Sequence, residues 1–274
     1  MAELRAWQGA RRIDAHFHVD DASGRWYSRP SGKLDREKAE RSLVRADRFD
    51  IDFLCVSFPL VDDEPTPDEM RRANDVVLEA MSFSPRYLGF CYLNPGYARE
   101  SLAEIERCVV DGGMVGIKLY YQYRICDPAI TPVMERAAEL QVPVLMHAGN
   151  WRSSATQRRQ SRPSDASDMV RAAAMFPDTI LIEGHIGGGG DWEWCLRHLE
   201  ARPPNLYIDS SGSVIDAGIV DKTVAAIGLE HVLFATDTAM EEGVGKVLDA
   251  DLTEEQRDQV FAGNLKTILA RRNV

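Results

Sequence analysis

Short apolar runs alternate with longer amphipathic stretches along the chain. The runs that read as strands are Arg12–Val19, Ile51–Leu60, Tyr87–Leu93, Val115–Tyr120, Pro143–His147, Thr179–His185, Leu206–Ser211 and Val232–Thr236. The central ones are almost continuously apolar, as parallel strands buried on both faces should be. The stretches between them predict helices over residues 35–49, 67–83, 99–111, 129–140, 166–176, 191–201, 215–227 and 253–270. Several carry start signals. Pro67-Asp68-Glu69 places proline and acids in a first turn, Asp127-Pro128 pairs an N-cap residue with proline, and Thr253-Glu254-Glu255-Gln256 has the capping-box pattern. Strand and helix thus alternate eight times within 274 residues, with no long linker, repeat or low-complexity segment. That pattern predicts an α/β chain folded as one domain, residues 1–274, in a closed (β/α)8 TIM barrel rather than an open doubly wound sheet.

Composition narrows the function without naming it. At 45% hydrophobic and 27% charged, the chain can bury a sizeable core, and no targeting segment is visible near Met1. No apolar run approaches the ~18 residues of a membrane span. The net charge of −11 argues against nucleic-acid binding, which rests on clustered lysine and arginine. Five cysteines, an odd number without a Cys-x-x-Cys pair, suit a reducing compartment. The expectation is a soluble, cytoplasmic protein with a small-molecule partner and neither nucleic acid nor membrane.

The candidate chemistry collects at strand ends. In Asp14-Ala15-His16-Phe17-His18, strand alternation projects His16 and His18 from one face. Two imidazoles one strand step apart can grip a metal ion from rigid backbone, although the pair alone is a weak signal. His147 closes the fifth strand, His185 the sixth and Asp237 the eighth, while Lys118 lies late in the fourth. Barrel enzymes assemble their sites at the C-terminal ends of strands. Polar groups ending apolar strands are costly there unless paired or ligated. Each residue has an ordinary alternative: a hydrogen-bonded core histidine, a turn-capping aspartate, a snorkelling lysine. Their coincidence on one rim carries the reading. His198 and His231 fall elsewhere and receive no role.

On these residues the chain resembles the amidohydrolase superfamily, most closely its amidohydrolase-2 branch, which includes the aminocarboxymuconate-semialdehyde decarboxylase-like enzymes. His185-Ile186-Gly187-Gly188 is similar to that branch's sixth-strand H-x-G-G, and Phe261-Ala262-Gly263-Asn264-Leu265 to its closing helix start. The resemblance implies a divalent metal, most often zinc, held by His16, His18, His147 and Asp237, with a position left for water. It implies Asp237 as proton acceptor, and His185 as the group that polarises a carbonyl or protonates the developing oxyanion. Lys118 occupies the strand that carries a carboxylated, metal-bridging lysine in binuclear members. Carboxylated, it would join two metals with His185 on the second; unmodified, it would bind a substrate carboxylate or the oxyanion. One metal per chain fits the other motifs better. Ala235-Thr236-Asp237-Thr238-Ala239 lacks the proline usual after the aspartate. The resemblance also allows a homodimer.

Weaker signals complete the picture. Asp14 is placed below His16 as support, and Asp209 reads as a structural hydrogen-bonding group. Arg152, Arg158, Arg159 and Arg162, in the loop after the fifth strand, could clamp an anionic substrate or simply be solvated. Tyr120, Trp26, Tyr27, Tyr121 and Tyr123 could wall a flat substrate or pack helices, with Tyr120 and Arg152 the substrate-binding candidates. Gly187–Gly190 is no phosphate loop, since no Gly-Lys-Ser/Thr follows. The expected function is a metal-dependent hydrolase of a small carboxylated amide, ester or lactone. The alternative is a lyase, a non-oxidative decarboxylase of an aromatic or unsaturated acid at the same metal. A metal-holding scaffold without turnover is disfavoured, since it would need neither Asp237 nor His185.

Overall fold

The computed structural model describes residues 3–24, 27, 29–149, 160–186 and 190–273. Eight strands lie in sequence order, each parallel to the next: β1 Ile13–His18, β2 Phe53–Ser57, β3 Tyr87–Tyr92, β4 Gly116–Leu119, β5 Val144–His147, β6 Leu181–Gly184, β7 Leu206–Asp209 and β8 Val232–Leu233. Ala15 N–H donates to Phe234 O at 2.9 Å and Asp237 N–H to His16 O at 2.8 Å, which brings the chain after β8 back against β1. The architecture is a (β/α)8 TIM barrel, with every predicted strand present and trimmed at its ends.

The helices are α1 Arg36–Asp47, α2 Pro67–Phe83, α3 Ala98–Ile105, α4 Thr131–Leu140, α5 Ala166–Met175, α6 Trp192–Leu199, α7 Ile219–Ile227, α8 Met240–Asp249, α9 Glu254–Asp258 and α10 Asn264–Leu269. The start signals act as their chemistry suggests. Thr66 and Glu69 cap α2 reciprocally around Pro67, as Thr253 and Gln256 cap α9. Asp127 accepts from Ala129 N–H and starts a short turn that leads into α4. Two segments depart from the expected pattern. Single π-turns continue α3 over Glu106–Asp111 and join α9 to α10 over Gln259–Gly263. Helix α8 is absent from the sequence pattern because Gly243 and Gly245 weaken its helical signal. Gly243 is there for contact: a Cβ on it would lie 2.7 Å from Ala235 O, so the glycine lets α8 close on the end of β8.

Apolar residues form two clusters, one between strands and helices and one inside the barrel. Ile13, Cys55, Phe90, Leu145, Ile182 and Leu233 belong to the inner cluster, which Trp7 and Leu265 extend at its base. All five cysteines are free, and four of them are buried. Among the described residues no helix is long and apolar enough to cross a membrane. Packing inside the barrel is tight at Gly116, where a Cβ would fall 2.7 Å from Phe90 Cδ1. Gly116→Ala is therefore expected to lower stability by about 1–3 kcal/mol through overpacking, read as an earlier urea midpoint.

Candidate metal centre

Four of the six histidines meet at the C-terminal rim of the barrel. An irregular register between β1 and β2, where Asp14 pairs with Leu54 but Phe17 with Val56, gives β1 an extra residue. The His16 and His18 rings sit 5.0 Å apart, edge to face. Each has its Nδ1 committed. His16 Nδ1 lies 2.8 Å from the Asp209 carboxylate, and His18 Nδ1 lies 3.3 Å from the Ser57 carbonyl and 3.1 Å from its hydroxyl. A carboxylate only accepts, so the His16 Nδ1 carries the proton and its Nε2 keeps a lone pair, whereas the His18 Nδ1 can accept from the Ser57 hydroxyl.

Both Nε2 atoms turn toward one carboxylate. His18 Nε2 is 3.0 Å from Asp237 Oδ1, and His16 Nε2 is 4.0 Å from the same oxygen. Three electron-rich atoms converge, an arrangement that needs a shared proton or a cation to hold it. Lys118 supplies a positive charge, its buried Nζ 2.8 Å from His16 Nε2. Two imidazoles and a carboxylate are the donor set of a catalytic divalent-metal site, so the residues present fit such an ion. A second group, His16, His185 and Asp209, also lies within ligand spacing.

His147 stands beside this group. Its Nδ1 is 2.8 Å from His185 Nε2, its Nε2 faces the Gln160 amide at 3.1 Å, and its ring lies 4.5 Å from that of Tyr120. His185 Nδ1 is 2.8 Å from Ser211 Oγ and 3.7 Å from Asp237 Oδ2. His16, His18 and Asp237 thus assemble as predicted, with Lys118 among them. His147 joins His185 rather than the tight three-residue group.

Charge states follow from burial. It holds His16 and His147 well below the usual imidazole range and His185 down to about 4, so all three are neutral at pH 7. Burial would raise Asp237, but the His18 hydrogen bond and the nearby His185 and His16 hold it well below the carboxylate range. Burial brings Lys118 down to about 8, against the pull of Asp237 and Asp209. Asp237 also sits in the left-handed region, with φ 45° and Thr238 at 72°, a strained geometry for residues other than glycine. Arg45 supports that turn by donating to Thr238 O at 3.0 Å.

The supporting groups are partly unforeseen. Asp14 accepts from the backbone N–H groups of His16 and Thr236, and the carboxylate on the His16 ring is that of Asp209. Ser57, Ser211 and Gln160 escaped the sequence reading, although Ser57 closes β2 just as the histidines close their strands. Tyr27 lies 5.5 Å from the His18 ring and Tyr120 beside His147, while Tyr121 bonds the Val61 carbonyl. Arg162 lies over the Tyr123 ring. Trp26, Arg152, Arg158, Arg159 and Gly187–Gly189 lie outside the described residues.

Known proteins share this fold. A family model described as Amidohydrolase matches residues 13–266. Among solved structures, 4-oxalomesaconate hydratase from Rhodopseudomonas palustris is 17% identical, with 95% of this chain and 96% of that one covered and a TM-score of 0.73. 5-Carboxyvanillate decarboxylase from Sphingomonas paucimobilis is 20% identical, with 96% and 99% covered and a TM-score of 0.71. A dihydroxybenzoic acid decarboxylase from Polaromonas, with bound manganese and 2-nitroresorcinol, is 17% identical, with 95% and 97% covered and a TM-score of 0.69. At such identities these three show a shared fold. The family match spans nearly the whole barrel, and the chain belongs to the amidohydrolase family, in its amidohydrolase-2 branch.

Proposed function

We propose that the protein is a metal-dependent hydrolase acting on a small carboxylated amide, ester or lactone. The observation that carries this reading is the convergence of the His16 and His18 Nε2 atoms on the Asp237 carboxylate, beside a buried lysine. His16, His18 and Asp237 would hold the ion, with His147 standing behind them against His185. Zinc suits this histidine-rich set, and manganese is the ion bound in the Polaromonas relative. When bound, a divalent ion polarises a substrate carbonyl and makes water acidic near neutral pH.

The chain's own groups then divide the remaining work. Asp237, ionised at neutral pH, accepts a proton at its carboxylate oxygen. Lys118, buried and cationic below about pH 8, stands where it can bind a substrate carboxylate or the developing oxyanion. Tyr27 and Tyr120 flank the histidines and give the site flat walls.

A second reading is decarboxylation, favoured by those walls and by relatives named as decarboxylases of hydroxylated benzoates. Loss of CO2 needs a proton delivered to the carbon left behind. The buried Lys118 ammonium, 2.8 Å from His16 Nε2, is a group of the site that could supply it.

Two measurements test the proposal. Elemental analysis should find about one equivalent of transition metal per chain, and chelation should abolish turnover with recovery on adding Zn²⁺ or Mn²⁺. An active metal-free protein would sink the mechanism. A panel of lactones, amides and hydroxybenzoate-type acids, followed by acid release and CO2 detection, should show hydrolysis. CO2 release from the acids without hydrolysis of the others would move the assignment to decarboxylase.

A further inference from the structure

Asp209, at the end of β7, is fully buried, contacts the His16 ring directly and reaches the His185 ring through Ser211. Its Oδ2 lies 2.8 Å from His16 Nδ1. Its Oδ1 accepts from Ser211 N–H at 3.0 Å and from Ser211 Oγ at 2.6 Å. Ser211 Oγ lies 2.8 Å from His185 Nδ1, and His185 Nε2 lies 2.8 Å from His147 Nδ1.

Proton counting along this chain of contacts gives it a direction. A hydroxyl has one proton, and a carboxylate can only accept. With the Ser211 proton committed to Asp209, Ser211 Oγ must accept, so His185 donates from Nδ1. A neutral His185 then has a lone pair at Nε2, into which His147 donates from its own Nδ1. His147 is left with a lone pair at Nε2, where the Gln160 amide N–H can donate.

The segment is built to stay in place. Lys246 of α8 donates from Nζ to Gly212 O at 2.5 Å and to Ser210 O at 3.3 Å, while Glu242 lies 3.3 Å from the same ammonium. Gly212, at φ 95°, packs so close that a Cβ would fall 2.7 Å from His185 Cβ.

We propose that Asp209 and Ser211 form a positioning pair that sets the tautomers of the site: Nδ1–H on His16, His185 and His147, with the His16 Nε2 lone pair, which faces Lys118, available to a metal and His185 Nε2 a proton acceptor rather than a donor. The His16 half rests on the metal reading above; the His185 half does not. The same pattern reverses the role expected of His185 from family resemblance. A hydrogen-bonded carboxylate behind a ligating imidazole fixes its ring and raises its basicity.

The test is long-range ¹H–¹⁵N correlation spectroscopy of the full chain, labelled in histidine and free of metal, followed by titration with Mn²⁺. Wild-type His16 and His185 should both show the Nδ1–H pattern. Ser211→Ala should release His185 to a mixture of tautomers while leaving His16 and Mn²⁺ affinity unchanged, and Ser211→Thr should restore the wild-type spectrum. Asp209→Asn should weaken Mn²⁺ binding about 10- to 100-fold. Nε2–H on wild-type His185, or no tautomer change in Ser211→Ala, would overturn the proposal. If Asp209→Asn fails to fold, the two Ser211 variants decide it. A wild-type chain that binds no Mn²⁺ overturns the metal reading and the His16 half, whereas the His185 tautomer is settled by the metal-free spectrum.

Discussion

Asp237→Asn is expected to lower kcat by about 10³-fold or more while leaving the fold intact, since it removes a metal-binding charge and the proton acceptor together. Asparagine is the informative replacement. Residue 237 has φ 45°, and asparagine is among the few residues that adopt the left-handed region readily. The side chain keeps its size, and its amide can still hydrogen-bond with His18 Nε2, 3.0 Å from Asp237 Oδ1. Alanine would confound lost chemistry with backbone strain. Steady-state kinetics on whichever substrate the panel identifies, with metal content measured in parallel, would decide the matter. An Asp237→Asn enzyme within about tenfold of wild type would show that Asp237 is not the acceptor.

Glu183→Leu is expected to stabilise the protein at neutral pH and to flatten part of its pH dependence. Glu183 lies in β6, fully buried, and among the described residues neither carboxylate oxygen has a hydrogen-bond partner. Burial, with Asp165 and Asp209 nearby, pushes its carboxyl from 4.5 up to about 8. Below pH 4.5 the group is neutral in both folded and unfolded chains and has no effect on stability. As pH rises from 4.5 to 8, the unfolded chain ionises it and the folded chain does not, so stability falls through that window. Each pH unit inside the window costs about 1.4 kcal/mol, so the loss at neutral pH is on the order of 3 kcal/mol. Leucine removes the ionisable group and fills much the same space. Urea unfolding at pH 5 and pH 8 should show a gap between variant and wild type that widens with pH. A gap that does not change with pH would refute this account of Glu183.

Much of the fold and part of the site were legible in the chain. Each strand left a local apolar run, and α2 and α9 announced themselves by capping residues that act within one turn. Helix α8 stayed hidden because its glycines serve contact with β8 rather than helix propensity. His16, His18 and Asp237 could be proposed as neighbours because each sits at a strand's C-terminal end, and a barrel brings such ends together. Asp209 is 193 residues from His16, and no local pattern marks it as that ring's partner. Ser57, Ser211 and Gln160 are likewise ordinary residues until folding places them 2.8–3.3 Å from an imidazole nitrogen.

By itself, the sequence determined the order of strands and helices and the rim on which the polar groups gather, since periodicity and capping act over a few residues. Only the tertiary structure decided that His147 pairs with His185, that Lys118 faces His16, and that Asp209 meets the His16 ring and Ser211 the His185 ring. Those pairings depend on which side chains the register of a closed barrel brings within hydrogen-bond reach, and on burial that strips water from them. Neither quantity is written in any stretch of chain shorter than the barrel.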